Sequence, residues 1–183
     1  RLKVISIPHS GSAAARNKAL AEAKGEFVYF ANSYDLFDEN MLTKMVQKAE
    51  ADGSDIVIDG YSLLNQRFQE ITSTEKLDQS VLPQTPCTPQ DLSDELFCTF
   101  PAVIWNKLIR MDLIHQFHLT FDESLKYNSD LVFNAIILAG AKKISLMNDC
   151  LLCHRININP YQKKESLQEF GDGLKAMAHL FHQ

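Results

Sequence analysis

The sequence predicts an α/β layered domain. Three observations predict it. Short β-branched or aromatic runs alternate with helical patterns from Leu2 to Leu64, the order that builds a sheet covered by helices. Residues 26–31 read as a strand buried on both faces, since after Glu26 the positions 27–31 are apolar in succession. Glycines fall at the ends of the helical patterns, at Gly25 and Gly53. The chain has 183 residues, enough for one domain with a real core and few for two. Hydrophobic residues make up 45% and charged residues 22%, which excludes disorder as the default. A net charge of −5 with no long basic run argues against tight electrostatic binding to nucleic acid. No stretch approaches the roughly 18 apolar residues of a membrane span, and the opening has no signal-peptide pattern. The first residues, Arg1-Leu-Lys-Val-Ile-Ser-Ile7, lack an initiator Met, and a piece of something longer is expected.

Taken in order, residues 2–7 form a β-branched run that predicts a strand, broken by Pro8-His-Ser-Gly-Ser12. Ser12 is placed to cap a helix over 13–23, rich in alanine, with Gly25 at its end. The strand over 26–31 follows. Asp38 opens a second helix over 39–51, whose Met41, Leu42, Met45, Val46 and Ala49 share one face; Gly53 closes it. Residues 55–64 read as one strand, and 66–74 as its hairpin partner. A polar loop covers 74–86. Thr88-Pro-Gln-Asp91 has a cap, a proline in the first turn and an acid three residues on, a helix start for a helix running to about residue 97. A short helix is expected over 111–117, and another over 130–139 capped by Asn128 or Ser129. Strands follow over 142–147 and 150–156, then an amphipathic helix over 165–182.

The cysteines are Cys87, Cys98, Cys150 and Cys153. Cys150 and Cys153 make a CxxC with His154 directly after. A zinc half-site or a haem attachment is one reading, and the first needs a second ligand pair. The apolar density of the stretch favours cysteines of a strand. No disulfide framework is visible, and a reducing compartment is expected.

Several pieces stand in order along the chain. They are His9-Ser-Gly-Ser-Ala-Ala-Ala-Arg-Asn17, Glu22-Ala-Lys-Gly-Glu-Phe-Val-Tyr-Phe30, Asn32-Ser-Tyr-Asp35 and Ser54-Asp-Ile-Val-Ile-Asp-Gly-Tyr61. Further on stand Trp105-Asn-Lys-Leu108, Phe121-Asp-Glu-Ser-Leu-Lys-Tyr127 and Ser129-Asp-Leu-Val-Phe133. This string resembles family-2 glycosyltransferases of the GT-A fold, of the bacterial surface-polysaccharide type, over about residues 8–155. The resemblance implies a Rossmann-related mixed sheet flanked by helices. It also implies a donor-side part over 1–64, an acceptor-side part over 65–160 and a C-terminal helix over 161–183. Such enzymes begin with a further β-α-β-α unit that reads the nucleotide base, so the resemblance makes residues 1–7 the strand after it and leaves the fold incomplete at the N-terminus.

The implied chemistry is transfer of a sugar from a nucleotide-diphosphate sugar to an acceptor hydroxyl, on a glycan or a lipid-linked molecule. Charge on the departing diphosphate must be neutralised by a divalent metal, manganese or magnesium, or by basic groups, and a carboxylate must take the acceptor proton. By resemblance Asp130 is the general base, although a carboxylate there also suits a helix start. Arg16, Asn32, Ser33, Tyr34 and Lys107 fall on the donor side. The family often shows Asp-Ser-Asp-Asp where this chain has Asn32-Ser33-Tyr34-Asp35, so the metal-binding carboxylate falls at Tyr34, and Asp35 is the one left to hold a cation. Its second acidic motif, Glu-Asp, reads Ser129-Asp130 here. Trp105 is expected in the core or as an acceptor platform, and His154 in a structural role. Two functions compete: a transferase working in the cytoplasm or at the inner face of the membrane, and an inactive relative that binds or assembles. Oligomeric state is not legible.

Overall fold

In a computed structural model of the protein, the described residues are 2–65, 69–77, 85–92, 100–156 and 175. In chain order they form α1 (Gly11–Glu22), β1 (Phe27–Tyr29), β2 (Leu36–Phe37), α2 (Met41–Asp52), β3 (Ile56–Asp59), β4 (Tyr61–Asn65) and β5 (Glu70–Glu75). Then come α3 (Pro89–Leu92), β6 (Lys107–Arg110), α4 (Met111–Gln116), α5 (Ser129–Gly140), β7 (Ile144–Met147) and β8 (Leu152–Ile156). The strands make two mixed sheets, ordered β1-β6-β3-β7 and β2-β8-β4-β5. β3 runs parallel to β7 and β4 parallel to β8; the other pairs are antiparallel.

The first sheet is covered on both faces, and its side-chain alternation shows how. Ile56 and Ile58 on β3 join a core with Ile109, Phe121, Phe133, Ile137 and Ile144, against α4 and α5. Val57 and Leu108 point the other way, into a core with Met41, Met45, Ala49 and Trp105, under α2. This is the two-residue period of a strand buried on both sides. Each fully buried side chain of this size contributes about 1.5–3 kcal/mol. α2 supplies Met41, Met45 and Ala49 at four-residue spacing, while Leu42 is exposed. Gly53 ends it with φ 64°, its N–H reaching the carbonyls of Ala49 and Glu50. At α3 the Thr88 N–H and hydroxyl both donate to Asp91, at 2.7 and 2.8 Å, the reciprocal cap expected there.

Several expectations are corrected. Residues 2–7 are not a strand: Leu2 and Val4 are exposed, and no described strand lies alongside to pair with them. α1 starts at Gly11, places Ser12 inside, and ends at Ala23 in extended backbone ahead of Gly25. β1 is half-buried rather than buried, since among the described strands only β6 pairs with it. The single strand expected over 55–64 divides at Gly60 into β3 and β4, which belong to different sheets. A Cβ on Gly60 would stand 2.8 Å from the Cys150 sulfur and 2.8 Å from the Glu75 carbonyl oxygen, so only glycine fits where the chain changes sheet. β6 follows Asn106 without a strand pattern of its own in the sequence. The hairpin partner over 66–74 stands as β5, paired antiparallel with β4. The continuation of α3 beyond Leu92, Cys98 and the C-terminal helix, Lys175 apart, lie outside the described residues. Among those described, no helix is long and apolar enough to cross a membrane.

Candidate active site

Two helix starts meet at the site. Arg16 on α1 forms an ion pair with the Oδ1 of Asp130 in the first turn of α5, and the Ser129 hydroxyl reaches the same oxygen at 3.4 Å. The Arg16 guanidinium lies 5.2 Å from the Phe121 ring centroid, a cation–π contact. Asn17 fixes the helix beside it. Its amide donates to the Phe121 carbonyl at 2.8 Å and to Glu123 at 2.9 Å, and its oxygen accepts from the Phe121 N–H at 2.7 Å. Arg16 and Asp130 both line an open cleft of about 330 Å³, with Ser12, Ala102, Val103, Tyr127 and Asn128 among its walls. Asn128 enters α5 from left-handed backbone, φ 59°, which asparagine tolerates.

The turn after β1 holds a second polar cluster. The Asp35 N–H closes it onto the Asn32 carbonyl at 3.3 Å. The Asp35 side chain is fully buried. Its Oδ2 accepts from the Asn32 amide at 3.1 Å, and its Oδ1 is 2.9 Å from His154 Nδ1 and 3.3 Å from the Arg155 N–H. His154 stacks on Trp105, ring centroids 4.2 Å apart and 9° between planes, and Tyr34 leans on it at 5.8 Å. Trp105 is buried in the core under α2, so it is a wall and not an exposed platform. Ser33 is exposed at the tip of the turn. Tyr34 is 53% exposed. Burial and then the Asp35 carboxylate push its phenol up, with Arg16 acting in the opposite sense and Asp130 in the same one. Raised from an ordinary value already well above neutral, the phenol keeps its proton at neutral pH.

Asp35 is the one carboxylate the resemblance leaves for a divalent cation, and it is already engaged within the protein. Both carboxylate oxygens are engaged by protein N–H or ring nitrogen, and among the described residues no three His, Cys, Asp or Glu side chains converge. Hard divalent ions want six or more oxygen ligands. At the CxxC, Cys150 and Cys153 are free, half-buried thiols, Cys153 being paired within the sheet to Leu36 and Ser62.

Lys107 turns inward. It is fully buried, and its ammonium donates to the carbonyls of Pro101 at 3.1 Å and Val103 at 2.6 Å and to the Asn106 side chain at 2.9 Å. Its donors are thus spent on the segment that carries Ala102 and Val103 into the cleft, and none is turned toward a phosphate. Burial pulls its pKa down to about 7, against an opposing pull from Asp130. Sequence reasoning missed this, as it missed the Asp35–His154–Trp105 contact. The adjacent Asn106, itself buried, was the available sign of an internal polar knot.

The comparisons agree with this architecture. Residues 1–111 match the Glycosyl transferase family 2 model. The uncharacterized glycosyltransferase EpsJ of Bacillus subtilis (strain 168) is 25% identical over 87% of this chain and 46% of its own. The cholesterol galactosyltransferase of Borreliella burgdorferi is 30% identical over 81% of this chain and 42% of its own. The chain thus spans a little under half the length of these relatives. Among solved structures, S. aureus TarS 1–349 in complex with UDP-GlcNAc superposes with a TM-score of 0.66 at 19% identity, covering 91% of this chain and 46% of that one. That likeness shows the GT-A fold. With a family match across more than half the sequence, this chain belongs to glycosyl transferase family 2.

Proposed function

We propose that the chain is the catalytic part of a glycosyltransferase that moves a sugar from a nucleotide-diphosphate sugar to an acceptor hydroxyl, in the making of a cell-surface polysaccharide or glycoconjugate. One observation carries the reading. Asp130 stands in the cleft wall with Arg16 and Ser129 both on Oδ1, so the carboxylate is oriented and Oδ2 is the oxygen to receive a proton. In the proposed step Asp130 takes the proton of the acceptor hydroxyl. The acceptor oxygen bonds to the anomeric carbon as the bond to the diphosphate breaks, and the diphosphate leaves with the electron pair. One displacement inverts the anomeric centre. That TarS has been captured with UDP-GlcNAc supports a nucleotide-sugar donor. Such donors and the free Cys87, Cys150 and Cys153 suit a cytoplasmic setting.

The test uses the natural full-length protein with UDP- and GDP-sugars, reading release of the nucleoside diphosphate. Asp130→Asn should lower kcat by about 10²–10⁴-fold with little change in donor KM. Full activity in that variant would remove Asp130 from the role. Absence of turnover with every donor, in the presence of lipid and glycan acceptors, would instead make the domain an inactive binding module.

A further inference from the structure

Between Phe100 and Ile104, both buried in the core, the chain surfaces for three residues, 101–103, that belong to no helix or strand. Ala102 is exposed there, and Pro101 and Val103 are half-buried. Ala102 and Val103 line the cleft that also holds Arg16, Tyr127 and Asp130. Proline has no N–H to give, so the backbone does little to fix this wall. The Lys107 ammonium does that instead. It donates to the carbonyls of Pro101 at 3.1 Å and Val103 at 2.6 Å, one on each side of Ala102, and to the Asn106 side chain at 2.9 Å. An ammonium has three donors, and all three are used. Its other end is held by the sheet. Lys107 pairs with Ile58 on β3, in a strand that also pairs with β1, and Asn106 donates to the Asp59 carbonyl at 3.2 Å. Burying a charge is costly unless it is fully hydrogen-bonded. An apolar side chain of the same length would avoid that cost, and it would not hold the two carbonyls.

We propose that Lys107 is a positioning residue for a sugar acceptor: it pins the wall at residues 101–103 to the central sheet and so sets where the acceptor hydroxyl stands relative to Asp130. The proposal rests on the transferase reading above. Lys107 is fully buried and acts through the wall, not on the substrate. Ala102, Val103 and Tyr127 give the cleft apolar surface on which the C–H face of a sugar ring can rest. Asp130 is held by Arg16 and the wall by Lys107, so base and wall are set by separate bonds. Water is small enough to reach the base without a wall to orient it. A hydroxyl carried on a ring is not, and a misplacement of about 1 Å can cost about 10²-fold in rate.

The test compares the natural full-length wild type with Lys107→Met, which keeps the stem and removes the donors. Each is given the UDP- or GDP-sugar that the wild type turns over, with the octyl glycosides of glucose, galactose and N-acetylglucosamine as acceptors. Two products are measured, the disaccharide formed by transfer and the free sugar formed by hydrolysis. Lys107→Met should lower transfer relative to hydrolysis by about 10–10²-fold. An unfolded fraction lowers both equally, so an unchanged ratio overturns the proposal. Ala102→Phe crowds the same wall from an exposed position, leaves the core intact, and should lower the ratio as well; it decides alone if Lys107→Met does not fold. Hydrogen exchange read by mass spectrometry gives a measure free of turnover. Residues 102–106 should exchange about tenfold faster in Lys107→Met while residues 111–116 keep the wild-type rate, and unchanged exchange at 102–106 also overturns the proposal. Hydrolysis by the wild type with no transfer to any of the glycosides removes the sugar acceptor. If the wild type turns over no donor at all, the transferase reading itself fails, and the acceptor role of Lys107 falls with it.

Discussion

His154 Nδ1 sits 2.9 Å from Asp35 Oδ1. β8 is thereby tied to the turn that follows β1, across 119 residues of sequence. Removing the acceptor should be costly. Asp35→Ala leaves the Asn32 amide, the Arg155 N–H and the His154 nitrogen without their partner in a buried site. A loss of about 1–3 kcal/mol is expected for each donor that finds no substitute, read as a shift in the urea midpoint. Asp35→Asn keeps one acceptor oxygen and should lose less.

Gly60 is the point where the chain leaves one sheet for the other. Gly60→Ala would place a methyl 2.8 Å from a backbone carbonyl and from a sulfur. The carbonyl belongs to the β4–β5 pairing and cannot swing aside. Destabilisation of about 1–3 kcal/mol is expected, measured by urea unfolding. A Cβ at Gly25 would have its nearest neighbour at 3.2 Å, so Gly25→Ala should cost less.

Asn17 bonds three atoms of the 121–123 segment. Asn17→Ala leaves the Phe121 N–H and carbonyl unpaired at a part-buried position, which should cost about 1–3 kcal/mol. It should also lower kcat, because Arg16 lies on the Phe121 ring and shifts with it. Asn17→Asp, which keeps the acceptor for the Phe121 N–H and loses the donor, should fall between.

Lys107 gives stability a pH dependence of known sign. Its pKa is about 7 in the folded protein, against 10.5 as the ordinary value. Between these limits the unfolded chain holds a proton that the folded chain has released. Stability therefore rises with pH from 7 toward 10.5, by at most about 1.4 kcal/mol per pH unit for one proton. The urea midpoint of the wild type should gain on that of Lys107→Met across this window. Parallel curves for the two proteins would show that Lys107 keeps its proton.

Much of the local structure was legible. The four-residue spacing of Met41, Met45 and Ala49 specifies a helix face, Gly53 specifies its end, and Thr88 with Asp91 specifies a start, because each acts on neighbours within a turn or two. The Arg16, Asn32–Asp35 and Asp130 positions were legible as a set only through their resemblance to a family pattern. Leu42 reads as part of the α2 face and is exposed, since one stripe of the helix suffices to cover the sheet. Residues 2–7 have strand composition, but strand formation depends on a partner that composition cannot supply.

By itself the sequence determined the face and end of α2, the start of α3, the single carboxylate of the turn at 32–35, and the carboxylate at Asp130. Only the tertiary structure decided that residues 55–64 serve two sheets, that Lys107 points inward to Pro101 and Val103, that Asp35 is sealed by His154, and that Arg16 meets Asp130 across 114 residues. Helix periodicity and caps are interactions between near neighbours in the chain. Ion pairs, buried donors and sheet changes are set by which distant segments share a boundary, and that follows from packing the whole core at once.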